Sequence, residues 1–216
     1  MTYYWVVTIV SAASIGIPLV AILFHIRRIG NRYMPFAFYL TLGAANEWLS
    51  FYLIRNHQSN IVNSNIYSLL EYGLLLWLFF RVTPQKLSWR LLYVLTGVVI
   101  WLLDNFYLHS IRDDNSYFRI FACLTISWLS IEHINLTVFS DRITAYRKTD
   151  LLLGIGLFVF FAYSAFLRCF YVVSVGLHIS FYMQLWLILS IVNLIANLIF
   201  MFAILWIPKH RPIISI

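Results

Sequence analysis

The sequence predicts an all-α fold: a polytopic membrane protein built as one bundle of seven transmembrane helices, with the N-terminus outside and the C-terminus in the cytoplasm. Three observations predict it. The 216 residues are 62% hydrophobic and 11% charged, against roughly 25% charged in a soluble domain. Seven apolar stretches each approach the ~17–25 residues that a spanning helix needs. Lys and Arg gather in alternate connections between those stretches, as they do in cytoplasmic loops.

The stretches run over about 4–26, 35–54, 62–81, 90–108, 117–140, 150–173 and 180–207. The first, opening MTYYWVVTIVSAASIG, lacks the basic n-region of a cleavable signal peptide, so the first span is expected to remain in the mature protein. Arg27, Arg28 and Arg32 follow span one. Arg81, Lys86 and Arg90 follow span three, Arg142, Arg147 and Lys148 follow span five, and Lys209 and Arg211 follow span seven. Those eleven bases face four on the other side, Arg55, Arg112, Arg119 and Arg168. The larger set marks the cytoplasmic side. The expected location is a bacterial cytoplasmic (inner) membrane, crossed by a single domain over 1–216.

The connections are short. The longest, RNHQSNIVNSN near 55–65, is polar and expected outside. Any function therefore lies in the bundle, in its mouths or in a partner. The net charge of +7 belongs to these loops, which excludes nucleic acid as a partner. Only the endings FFRVTP and LWIPK resemble each other, too little for an internal repeat.

The polar residues inside the spans fall at helical spacing. Span two carries Gly43, Asn46, Glu47 and Ser50. Span three carries Asn63, Tyr67 and Glu71, and span four Thr96, Ile100 and Asp104 beside Asn105. Span five carries Thr125, Trp128, Glu132 and Asn135, and span seven Trp186, Ser190, Asn193 and Asn197. Each set shares one face of its helix. An acid at mid-membrane costs roughly 2.5–3.5 kcal/mol on insertion scales, so such faces turn inward. At about 1.5 Å of rise per residue, Glu47, Glu71 and Asp104 all reach the middle or outer half. They are expected to converge, with Asn46 and Tyr67, on a pocket open to the exterior. Arg168, one turn after Ser164 on span six, is expected to pair with one of these acids or to hold an anionic ligand group. Snorkelling to the interface is the simpler alternative. A second polar cluster, Glu132, His133, Asn193 and Asn197, is expected deeper, toward the inner half.

Several chemistries are excluded or disfavoured. A retinal Schiff base needs an embedded lysine, yet Lys86, Lys148 and Lys209 all fall at the basic side and span seven offers Asn193 instead. No GxSxG, HExxH or paired CxxC occurs. Pro84-Gln85 sits in a basic loop and not in a kinked helix, unlike the motif of PQ-loop sugar transporters. His25, His57, His109, His178 and His210 lie at span ends, leaving His133 alone well inside. No metal and no cofactor are expected. Cys123 and Cys169 are expected to be packing residues.

The stretch NSNIYSLLEYGLLLWLFFR at 63–81, the last helix NLIANLIFMFAILWIPK and the span layout resemble a group of small seven-span proteins common in Bacteroidota. The resemblance covers most of the chain and carries over no catalytic residues. The expected function is a membrane sensor or accessory signalling protein, with an outward pocket for a small molecule or lipid and a membrane or cytoplasmic signalling partner. The alternatives are an intramembrane lipid hydrolase of lysoplasmalogenase or alkaline-ceramidase type, and a small proton- or cation-coupled transporter.

Overall fold

A computed structural model describes residues 2–139, 145–173 and 179–208, and their side chains over 6–139, 145–173 and 180–208. Arg142, His178, Lys209, His210 and Arg211 lie outside the described residues. The described chain is all-helical, with no strand. Its helices are α1 (Thr2–Ala13), α2 (Gly16–His25), α3 (Met34–Arg55), α4 (Ile61–Val82), α5 (Leu87–Leu103), α6 (Ser116–Phe139), α7 (Arg147–Val173) and α8 (Ile179–Leu205).

Five helical segments are long and apolar enough to cross a membrane: Val6–Arg28, Leu87–Leu108, Ser116–Phe139, Arg147–Val173 and Ser180–Leu205. The other two, α3 and α4, match them in length at 22 residues each. Their hydropathy is lower because they carry Asn46, Glu47, Asn63, Asn65 and Glu71. Large apolar side chains nevertheless point outward throughout, among them Trp48, Phe51, Leu95, Phe106, Leu124 and Phe139. A surface of this kind suits lipid, not water.

The first apolar stretch is two helices, not one. Pro18 lies in the first turn of α2. Its ring has no N–H and collides with the carbonyl four residues back, at Ser14. The chain breaks there, with Ser14 N–H bonded back to Val10 and Ser11 and Ile17 N–H to the Ser14 carbonyl. At the end of α5 the chain widens into one π turn, Asp104–Leu108, closed by the His109 N–H on the Asp104 carbonyl at 3.1 Å.

α6, α7 and α8 pack side by side as the most extensive helix contacts, α3 packs on α4, and α4 joins this pair to α6. α7 approaches both neighbours through glycine. A Cβ on Gly154 would stand 2.7 Å from Ile134 of α6, and one on Gly156 would stand 2.6 Å from Phe200 of α8. Small residues at such crossings let helix backbones close up. The core fills the middle of the bundle with Phe36 and Leu40 of α3, Leu75, Leu76 and Phe79 of α4, Ile126 and Leu129 of α6, Leu157 and Phe161 of α7, and Phe200 and Ile204 of α8. Polar residues collect beyond this layer at both ends.

Candidate functional site

At the end of the bundle away from most of the bases, a cavity of about 350 Å³ opens between six helices. α3 brings Asn46 and Glu47 and α4 brings Tyr67 and Glu71. α6 contributes Arg119 and Cys123, α7 contributes Ser164 and Arg168, α8 contributes Asn193 and Asn197, and α1 contributes Thr8 and Ser11. The helical spacing of these residues explains why they meet. Glu47 follows Gly43 by one turn, Glu71 follows Tyr67, and Arg168 follows Ser164, so each pair shares a face.

The charged groups are held in different ways. Glu71 Oε1 accepts a hydrogen bond from Tyr67 Oη at 3.0 Å. Glu47 makes no hydrogen bond or ion pair among the described residues. Arg119 donates from Nε to Asn115 Oδ1 at 2.7 Å and from Nη2 to Ser64 Oγ, which fixes it against α4. Arg168 makes no hydrogen bond among the described residues, and its Nη1 lies 4.0 Å from Asp114 Oδ2. Asp114, in the connection before α6, also lies 3.9 Å from Arg119 Nε. No direct ion pair joins either arginine to Glu47 or Glu71 among the described residues. The amides fix the walls: Asn63 donates to Asn46 Oδ1 at 2.8 Å, Asn193 to Ser11 Oγ at 3.0 Å and Asn197 to Ser14 Oγ at 2.7 Å.

Five of the six residues expected at an outer pocket line this one cavity: Asn46, Glu47, Tyr67, Glu71 and Arg168. Asp104 does not. It is 1% exposed and its carboxylate is spent on structure. Oδ2 accepts the Phe118 backbone N–H at 2.7 Å and Oδ1 meets His109 Nδ1 at 2.9 Å. An acid facing the first-turn amides of a helix satisfies donors that have no partner inside it, and Asp104 serves α6 in this way. Of the alternatives for Arg168, the structure gives no ion pair with Glu47, Glu71 or Asp104 among the described residues; the acid within 4.0 Å of it is Asp114, in a connection.

The expected second cluster divides. Asn193 and Asn197 belong to the cavity and to α1. Glu132 and His133 lie toward the opposite end, where their adjacent positions send them apart. Glu132 accepts from Gln85 Nε2 at 3.0 Å, while His133 Nδ1 meets Thr83 Oγ1 at 3.1 Å.

His133 instead belongs to a centre that sequence reasoning missed. Asp150, at the start of α7, binds Arg32 Nη2 at 2.6 Å through Oδ2 and Tyr33 Oη at 2.7 Å through Oδ1. His133 Nε2 stands 4.0 Å from the same Oδ1. Burial and the neighbouring Asp150 charge push the Tyr33 phenol well above its ordinary value. Burial alone would lower the Arg32 guanidinium, but the Asp150 and Tyr33 charges outweigh it and raise it. The available signal was the lone acid in the basic run RKTD at 147–150. Arg119 was legible as a base just inside a helix end. Its contact with Ser64 required the fold.

Among the described residues no three His, Cys, Asp and Glu side chains converge as a metal site. Cys123 is a free buried thiol in the cavity wall, which no histidine lines. The cavity wall carries carboxylates on α3 and α4 and guanidinium groups on α6 and α7. Compared with known proteins, the chain matches no family model, no curated protein and no solved structure.

Proposed function

We propose that this chain is a seven-span sensor or accessory signalling protein of a bacterial cytoplasmic membrane, with the cavity facing outward and the Arg32–Asp150 centre facing the cytoplasm. The orientation rests on the eleven-to-four distribution of bases. The observation that carries the binding reading is the layering of the helices. α4 runs from Tyr67 and Glu71 in the cavity, through Leu75 and Phe79 in the core, to Thr83 at the basic end. α7 runs from Arg168 through Phe161 and Leu157 to Asp150. An apolar layer thus stands between the two polar centres, and the cavity serves one side.

The same helices supply a route for a signal. Arg119 and His133 are separated by about 21 Å along α6, and Arg168 and Asp150 by about 27 Å along α7, at roughly 1.5 Å per residue. A ligand drawing on the arginines biases the position of both helices, and small shifts of packed helices are an established form of coupling. The basic connections at the far end of those helices offer a surface to a signalling partner.

The test is two-sided labelling in intact cells, with Cys123→Ala and Cys169→Ser as background. Ser190→Cys should react with a membrane-impermeant maleimide from outside, and Asn135→Cys only after the inner face is opened. A reporter at Asn60 should report the exterior. Reaction of Ser190→Cys only from the inside overturns the orientation, and uptake of a bound ligand into liposomes replaces the sensor with a transporter.

A further inference from the structure

The broken first span forms one wall of the cavity, through Thr8, Ser11 and Ala12 of α1 and Ile15. α1 packs along α8, tied there by the Asn193–Ser11 and Asn197–Ser14 hydrogen bonds. α2 packs on both α8 and α3, whereas α1 and α3 do not form a packed pair. The change occurs at Ile15, whose Cδ1 lies 2.8 Å from the place of a Cβ on Gly43. A side chain at Gly43 would have to displace that methyl group. Both α1 and α3 nonetheless line the cavity, through Ser11 and Ala12 on one side and Asn46 and Glu47 on the other. Glu47 is exposed on α3, beside the outward-facing Trp48.

The charges inside are arranged in two halves. Glu47 and Glu71 belong to α3 and α4; Arg119 and Arg168 belong to α6 and α7. The halves do not pair across the cavity: the acid near the arginines is Asp114, in the connection before α6, at 3.9 Å from Arg119 and 4.0 Å from Arg168, and Glu47 and Arg168 have no hydrogen bond among the described residues. Opposite charges left apart around a void of about 350 Å³ complement a molecule that is itself dipolar. Two guanidinium groups suit the several oxygens of a phosphate, since planar N–H forks bind oxyanions in pairs. Two carboxylates suit an ammonium group.

Resting on the outward cavity proposed above, we infer that the ligand is a zwitterion carrying an ammonium and a phosphate group, the headgroup chemistry of an aminophospholipid. Its ammonium sits at Glu47 and Glu71 and its phosphate at Arg119 and Arg168. The gap between α1 and α3 admits it from the side, so that acyl chains stay in the bilayer while the headgroup enters.

Purified protein in detergent tests this with three probes: dihexanoyl-phosphatidylethanolamine, dihexanoyl-phosphatidylglycerol, which lacks the ammonium, and O-phosphoethanolamine, which lacks the chains. The aminophospholipid should bind at least about tenfold more tightly than phosphatidylglycerol, because desolvated charge pairing discriminates strongly. Glu47→Gln, at the exposed rim where folding is not at stake, should abolish most of that preference without weakening phosphatidylglycerol. Arg168→Gln should weaken both lipids. Arg119 is left intact because it also holds Ser64. If O-phosphoethanolamine binds as tightly as the lipid, the zwitterion assignment stands with a water-soluble source and sideways entry is overturned. Equal binding of both lipids, or binding indifferent to Glu47→Gln and Arg168→Gln, overturns the inference. External labelling of Ser190→Cys would then still support the outward cavity, whereas loss of that labelling removes the reading beneath it.

Discussion

The two polar centres are made from the same side chains, carboxylate, guanidinium and tyrosine, yet they are wired differently. At the basic end Asp150 is saturated: Arg32 holds one oxygen and Tyr33 the other, both within 2.7 Å. At the cavity end Glu71 has one bond, from Tyr67, and the two arginines stand across an open space from the acids. A closed ion pair has little left to offer a ligand. An open arrangement leaves its charges to be completed from outside. The difference separates a clasp between helices from a candidate binding site, although both would look alike in an inventory of embedded charges.

The largest effect is expected at the clasp. Asp150→Leu should destabilise the protein by about 2–3 kcal/mol in a detergent unfolding titration. A fully buried pair broken on one side costs roughly 3–5 kcal/mol, and the Arg32 side chain, 35% exposed, can recover part of its hydration. A loss below about 0.5 kcal/mol would remove the clasp from the account.

Asp104 comes next. It is a structural acid at the cavity end of the bundle. Asp104→Ala should cost about 1–2 kcal/mol through the lost Phe118 amide bond, the range of a missing helix cap. It should leave aminophospholipid affinity unchanged. A selective loss of affinity would return Asp104 to the site.

Tyr33 gives the comparison a pH signature. Its folded-state titration lies above the unfolded one, so the folded chain holds this proton more tightly. The linked stability is complete below about pH 10, the unfolded value, and falls as pH rises beyond it. Tyr33→Phe should cost about 1 kcal/mol at neutral pH, for the lost bond to Asp150. It should also flatten the alkaline decline measured by unfolding at pH 9 to 11. An unchanged decline would assign it to another group.

The smallest stability effect belongs to the open site. Glu71→Gln keeps an acceptor for Tyr67, and Glu47→Gln removes no internal bond, so each should change stability by less than about 0.5 kcal/mol. A loss above about 2 kcal/mol in either would show that the acids are structural and would erase the contrast between the two ends.

The sequence alone determined the helices. Apolar length and the positions of loop bases placed six of the seven stretches within a few residues of α3 to α8, because a segment must satisfy its own backbone polar groups in lipid and therefore be helical. Spacing and depth also grouped Glu47, Tyr67, Glu71 and Arg168 before any contact was known, but they misplaced the inner face of α6, where Trp128 is 64% exposed and the buried face runs through Ile126, Leu129 and His133. Pro18 could have revealed the break in the first stretch, since its cost to a helix is local. Tertiary structure decided the partners. Whether an inward acid is spent on an amide, as Asp104 is, clasped, as Asp150 is, or left facing a void, as Glu47 is, depends on which helices pack together and at what height. Helical periodicity fixes the direction of a side chain about its own axis. The distance to the next helix is set by packing between residues far apart in sequence, such as Gly43 with Ile15 and Asn197 with Ser14.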